Sequence, residues 1–186
     1  MRCALPLLLL ALLAALPIDA TAQDDEMEAW LAMSAPDDNH AYLEHFAGDF
    51  VYQSTTWMEP GADPMQSEGA SNASMTMGGR YLSTDHSGSM MGMDFNGHGV
   101  TGYDKMAGHF VASWIDNMST GIMVFRGHRD GDMLVLEAPW DNPMTGQTET
   151  HRIKQWPTDD GYVMEYYTVA EGAEPFKTME IAYSRR

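Results

Sequence analysis

The chain has 186 residues and a formal net charge of −17, from 27 acidic and 10 basic side chains. A surface of that sign repels nucleic acid and anionic lipid headgroups, and no basic run offers a local exception. The length suits one domain with a single hydrophobic core.

Arg2, the apolar run Leu5 to Leu16 and the small residues Ala20-Thr21-Ala22 have the three-part form of a secretory signal peptide. The run is too short to span a bilayer as a helix. Cleavage after Ala22 is expected, making residues 1–22 the signal. The mature protein is then exported, periplasmic or secreted, with no membrane insertion. Cys3 is the sole cysteine and goes with the signal, so the mature domain must be stable without a disulfide.

Gln23 to Ala35 carries Met27, Trp30, Leu31 and Met33 and reads as one helix ended by Pro36. Asp37-Asp38 then reads as an N-cap pair for a second helix to about Ala47, stopped by Gly48. Residues 23–47 thus form a helical segment, and from residue 48 to 186 the periodicity is alternating. Asp49 to Met58 is a strand, with Phe50, Tyr52, Ser54 and Thr56 on one face. Met65 to Met77 and Arg80 to Met93 are two long strands joined through Gly78-Gly79. Phe95 to Tyr103, His109 to Asp116, Gly121 to Gly127 and Met133 to Ala138 follow. Gln147 to Trp156, Tyr162 to Ala170 and Phe176 to Ser184 complete the set, with turn-forming residues between them. Connections this short require antiparallel neighbours, and about ten such strands curl and close. The fold expected is all-β, an antiparallel up-and-down β-barrel of about ten strands with one or two short N-terminal helices.

These elements contain His40 with Leu43, Ala47-Gly48-Asp49-Phe50, Gly78-Gly79-Arg80-Tyr81-Leu82 and the Gly-, Met- and aromatic-rich stretch from Met90 to Gly121. Asp141-Asn142-Pro143-Met144-Thr145-Gly146 and Phe176-Lys177-Thr178-Met179-Glu180-Ile181 come later. In this order they resemble the DUF1579 domain, a bacterial family of unknown function, from about His40 to Arg185. The resemblance implies a lipocalin-like (calycin) barrel and carries no activity with it.

Seventeen methionines accompany seven histidines. His86, Met90, Met91, Met93 and His98 fall in one short segment. Thioether sulfur is a soft ligand suited to Cu(I), and imidazole completes such a site. Methionine also fills apolar interiors and adaptable binding surfaces. By strand alternation Met91 and Met93 share a face with Phe95, as barrel lining, while Met90 points away.

Trp57, Tyr103, Trp114, Tyr166 and Tyr183 fall on different predicted strands, where they either pack a core or enclose one small ligand. Alternation groups Arg126 with Ile122 and Val124. Facing inward, Arg126 needs Glu137, Asp116 or an anionic ligand head as partner; facing outward, it makes surface ion pairs, as does Arg152. No nucleophile-elbow serine, mature cysteine or metalloprotease-like histidine spacing is present. Asp116 beside His109 or His151 is a catalytic option, set against the ordinary role of a strand-end acid as turn former.

The reading is an exported β-barrel that binds a small apolar ligand and needs no cofactor. Trp57, Tyr103, Trp114, Asp116, Arg126 and Tyr166 form its candidate site. A periplasmic copper-binding protein using His86, Met90, Met91, Met93 and His98 is the alternative, and an enzyme of unknown reaction is another.

Overall fold

The computed structural model describes residues 20–142 and 145–186. Arg2, Cys3 and Leu5 to Leu16, on which the expected signal peptide rests, lie outside the described residues, as do Pro143 and Met144. Helix α1 spans Ala20–Ser34 and belongs to one compact unit; Ala35–Arg186 form another. Among the described residues no helix is long and apolar enough to cross a membrane.

In the larger unit the chain starts with helix α2, Asp38–Leu43. Asp37 caps it, its carboxylate accepting the Asn39 N–H at 3.0 Å; such a cap contributes about 1 kcal/mol. The helix expected to reach Ala47 changes character first, tightening into a 3-10 turn over Glu44–Phe46. Tyr42, Leu43 and Phe46 are buried on its inner side.

Ten strands follow: β1 Gly48–Thr56, β2 Met65–Thr76, β3 Tyr81–Met90, β4 Met93–Asp104, β5 His109–Asp116, β6 Met123–Asp130, β7 Met133–Asp141, β8 Thr148–Thr158, β9 Gly161–Val169 and β10 Phe176–Arg185. Each pairs antiparallel with the next, and β10 returns to β1, with Phe50 opposite Arg185 and Thr56 opposite Met179. The sheet is a closed antiparallel barrel, as the alternation indicated. In β1 the inner face is Phe50, Tyr52 and Ser54, all buried, between the exposed Asp49, Val51 and Gln53.

Two boundaries differ from expectation for physical reasons. The strand expected from Arg80 through Met93 ends at Met90, because Met91 and Gly92 adopt positive φ of 54° and 77°. Two such residues make the two-residue turn whose twist matches a hairpin, and Met90 pairs with Met93 across it. β6 starts later than expected, at Met123, and runs on to Asp130, leaving Gly131-Asp132 as its tight turn.

Strand direction fixes two ends. α2 and the 3-10 turn lie where β1 begins, and they pack against β3 and β4 and against β2 and β9. There Phe46 meets the Tyr162 ring edge-on at 5.3 Å, as Phe50 does at 5.1 Å. Phe46, Phe50, Phe110, Phe125, Leu43 and Leu134 are the largest fully buried side chains, each contributing about 1.5–3 kcal/mol by burial. The connections after β1, β3, β5, β7 and β9 lie at the opposite end.

Candidate ligand cavity

Inward side chains near α2 fill one another's space; those farther along the strands do not meet. They surround a cavity of about 670 Å³, within the range of small-molecule sites. Phe46 and Leu43 floor it, and Trp57, Met58, Met118, Trp140 and Phe176 stand toward the far end. The described lining includes no Lys or Arg, and its only carboxylates are Asp116 and Glu149.

One polar set centres on His86. Its Nε2 lies 3.0 Å from the Tyr183 hydroxyl, and its ring stands edge-on to Trp114 at 5.3 Å. Nδ1 is enclosed with no hydrogen-bond partner among the described residues. Burial holds the imidazole down at about 4, opposed by the neighbouring Asp85 charge. Burial also drives the Tyr183 phenol well above its ordinary range, and Tyr183 stacks on Tyr162 at 3.9 Å.

Trp114 lies flat on the barrel wall because β4 presents glycine there. A Cβ on Gly97 would sit 2.3 Å from its ring and one on Gly99 3.2 Å. Its Nε1–H donates to Asp116 Oδ2 at 2.8 Å, while Asp116 Oδ1 accepts the Met118 N–H at 3.0 Å. Asp116 thereby fixes both the indole and the loop after β5.

A second set lies on β7, β8 and β9. Tyr166 and His151 Nδ1 share a 2.8 Å hydrogen bond, and His151 stacks on Trp140 at 4.6 Å. Burial lowers the His151 pKa, partly offset by Glu149. Glu149 accepts the Asn142 side-chain N–H at 3.0 Å. No hydrogen bond engages His151 Nε2 among the described residues, and it is not among the enclosed orphan atoms. A polar group entering the cavity can reach it.

Of the residues singled out in the sequence, Trp57, Trp114, Asp116 and Tyr166 line this space, and Tyr183 joins them. Tyr103 does not. It faces inward at the helix-covered end, 6.0 Å from the His40 ring and 4.9 Å from Phe110. Arg126 as a cavity cation is also corrected: Phe125, 2% exposed, takes the inward place, so Arg126 faces out with Ile122 and Val124. Glu137, considered as its partner, instead bonds Arg152 Nε at 2.6 Å.

The Met/His set does not converge. His86 and Met90 line the cavity, whereas His98 bonds Asp85 at 2.8 Å on the outer wall, 42% of its side chain exposed. Met91 and Met93, expected to line the interior, are 63% and 51% exposed at the β3–β4 turn. The turn takes Met91 off the face of Phe95 and makes Met90 the inward residue of β3, while its partner Met93 keeps that face but stands exposed as the first residue of β4. His109 accompanies Ala107 at the helix-covered end of β5, the length of the strand away from Asp116. Trp140 and Glu149 were missed. The signal for Glu149 was the alternation of Glu149, His151, Ile153 and Gln155 along β8, all of which line the cavity, and that for Trp140 was the alternation of Leu134, Leu136, Ala138 and Trp140 along β7.

Residues 35–185 match the family model described as "Protein of unknown function (DUF1579)". No curated protein matches the chain.

Proposed function

The chain belongs to the DUF1579 family, and on that premise we propose that it is a binding protein for a small, largely apolar ligand held inside the barrel. The observation that carries this reading is the cavity of about 670 Å³, walled by aromatic, aliphatic and methionine side chains with serine, threonine and other polar side chains spread among them. A site of that kind takes up apolar surface and orients its occupant through isolated hydrogen bonds. The groups suited to orientation are the His151–Tyr166 and His86–Tyr183 pairs. The signal-like N-terminal pattern supports a location outside the cytoplasm, which fractionation and N-terminal sequencing of the mature protein test. Copper handling by the five-residue set has no support in the placement of those side chains, which face opposite sides of the wall.

Titration with the neutral dye Nile red tests the binding reading. Saturable one-to-one fluorescence enhancement is expected. Ala112→Phe and Met164→Trp, each placing bulk in the cavity, should abolish it while leaving the circular dichroism spectrum of the barrel intact. Failure of the wild type to bind, or unchanged affinity in both filled variants, overturns the reading.

A further inference from the structure

All nine basic residues among the described positions avoid the cavity. Arg126 and Arg152 face outward from the wall, Arg152 onto Glu137. Lys154 lies over the Tyr167 ring. Arg129 covers the Tyr42 ring at the helix-covered end, where Arg185 donates to the carbonyls of Ala47 and His45. Lys177 comes within 5.4 Å of the Trp57 ring centroid but is held by Glu165 and Glu180.

The lining carboxylates both belong to the end away from α2. Asp116 is the last residue of β5, and Glu149 is the second residue of β8. Glu149 faces His151, and Asp116 faces Tyr166, which bonds His151 Nδ1 and leaves Nε2 without a hydrogen-bond partner among the described residues. A carboxylate or sulfonate head entering here loses water, meets no cation and approaches two like charges, each of which opposes binding. A hydroxyl loses less on desolvation and finds His151, and an ammonium head finds the carboxylates. Both cavity imidazoles are also held neutral near pH 7 by burial, so neither supplies the missing positive charge.

Resting on the ligand-binding reading above, we infer that the cavity takes amphiphiles with a neutral or cationic head and rejects their anionic counterparts, the polar head lying at the Glu149–His151 side of the mouth. The surface charge of −17 favours cations non-specifically, so the discriminating comparison is alcohol against carboxylate. It is made at about 1 M salt, where screening falls to about 3 Å.

Decanol below its solubility limit, and decanoate and decyltrimethylammonium below their micellar concentrations, are titrated calorimetrically at pH 7 into the full mature protein. Decanol and the ammonium compound should bind, and decanoate at least about tenfold more weakly than decanol. The Asp116→Asn, Glu149→Gln double variant should narrow that gap severalfold while decanol affinity holds. Equal affinity for decanol and decanoate in the wild type, or a gap unaltered in a double variant that still binds decanol, overturns the inference and leaves the ligand-binding reading standing. If the double variant fails to fold, Glu149→Gln alone replaces it with the same criteria. Binding of none of the three compounds overturns the reading and the inference together.

Discussion

The two ends of the barrel are built from the same residue types and do opposite things. Where α2 covers the barrel, Tyr42, Phe46, Phe50, Phe110 and Tyr162 meet edge to face, and their rings fill the space between the strands. At the other end Trp57, Trp114, Trp140 and Phe176 stand round a void. A barrel of this circumference is wider than its own inward side chains can fill, so an added element decides which end is solid. Stability and binding are thereby separated along the strands, and substitutions at the two ends should report on different quantities.

The largest break in this comparison is expected from Phe46→Ala. It removes a ring that is 1% exposed and contacts both α2 and Tyr162, and should cost about 3–5 kcal/mol in urea unfolding. A cost below about 1 kcal/mol would mean that the covered end is not the stabilising one.

Next in size is the pH dependence from His86, which lies between the two regions. The folded state keeps it neutral down to about 4, against an ordinary 6.5, so the unfolded chain binds more protons between those values. Its effect is absent above pH 6.5, and stability falls as the pH drops toward 4, by roughly 3 kcal/mol from this residue. Unfolding at pH 7 and pH 4.5 should show a loss smaller by about 2 kcal/mol in His86→Gln than in the wild type. Equal losses would remove His86 from the account.

Gly97→Ala probes the wall between the ends. Its Cβ collides with the Trp114 ring, and the expected cost is about 1–3 kcal/mol together with a shifted tryptophan emission as the indole leaves its seat. An unshifted spectrum at full stability would contradict the seating. The smallest effect on folding belongs to the open end. Trp140→Ala should alter stability by less than about 1 kcal/mol yet weaken Nile red binding severalfold, whereas Met91→Ala, at an exposed turn, should change neither. A large stability loss in Trp140→Ala would erase the separation between the ends.

Much of the fold was legible because period-two burial and glycine turns repeat along residues 48–186, and each strand must hide one face. The tip at Met91-Gly92 was not, because Met90 to Met93 changes neither residue class nor polarity across the turn. Only Gly92, at the second place of a two-residue loop, carried a signal. The side Arg126 faces was readable in principle, since its neighbour Phe125 competes for the interior and an aromatic ring wins that contest over a guanidinium. Trp57, Trp114 and Tyr166 were found from residue type. The partnership of Trp140, Glu149 and His151 with Tyr166 depends on the register of β7, β8 and β9, which short-range patterns do not encode. Nothing local in the sequence states which end α2 covers.

The pairing of β1 with β10 has a temporal consequence. Whichever way the chain is delivered, β1 comes first and keeps one edge unmatched until β10 follows, because Phe50 joins Arg185 only then. Contacts so distant along the chain slow folding, and the waiting edge of Asp49, Val51 and Gln53 on one face and Phe50 and Tyr52 on the other is a template for wrong partners. The Arg185 guanidinium, bonded to the His45 and Ala47 carbonyls beside β1, acts as the latch that ends this interval. Fresh chains lacking β10 should therefore associate with one another, not close.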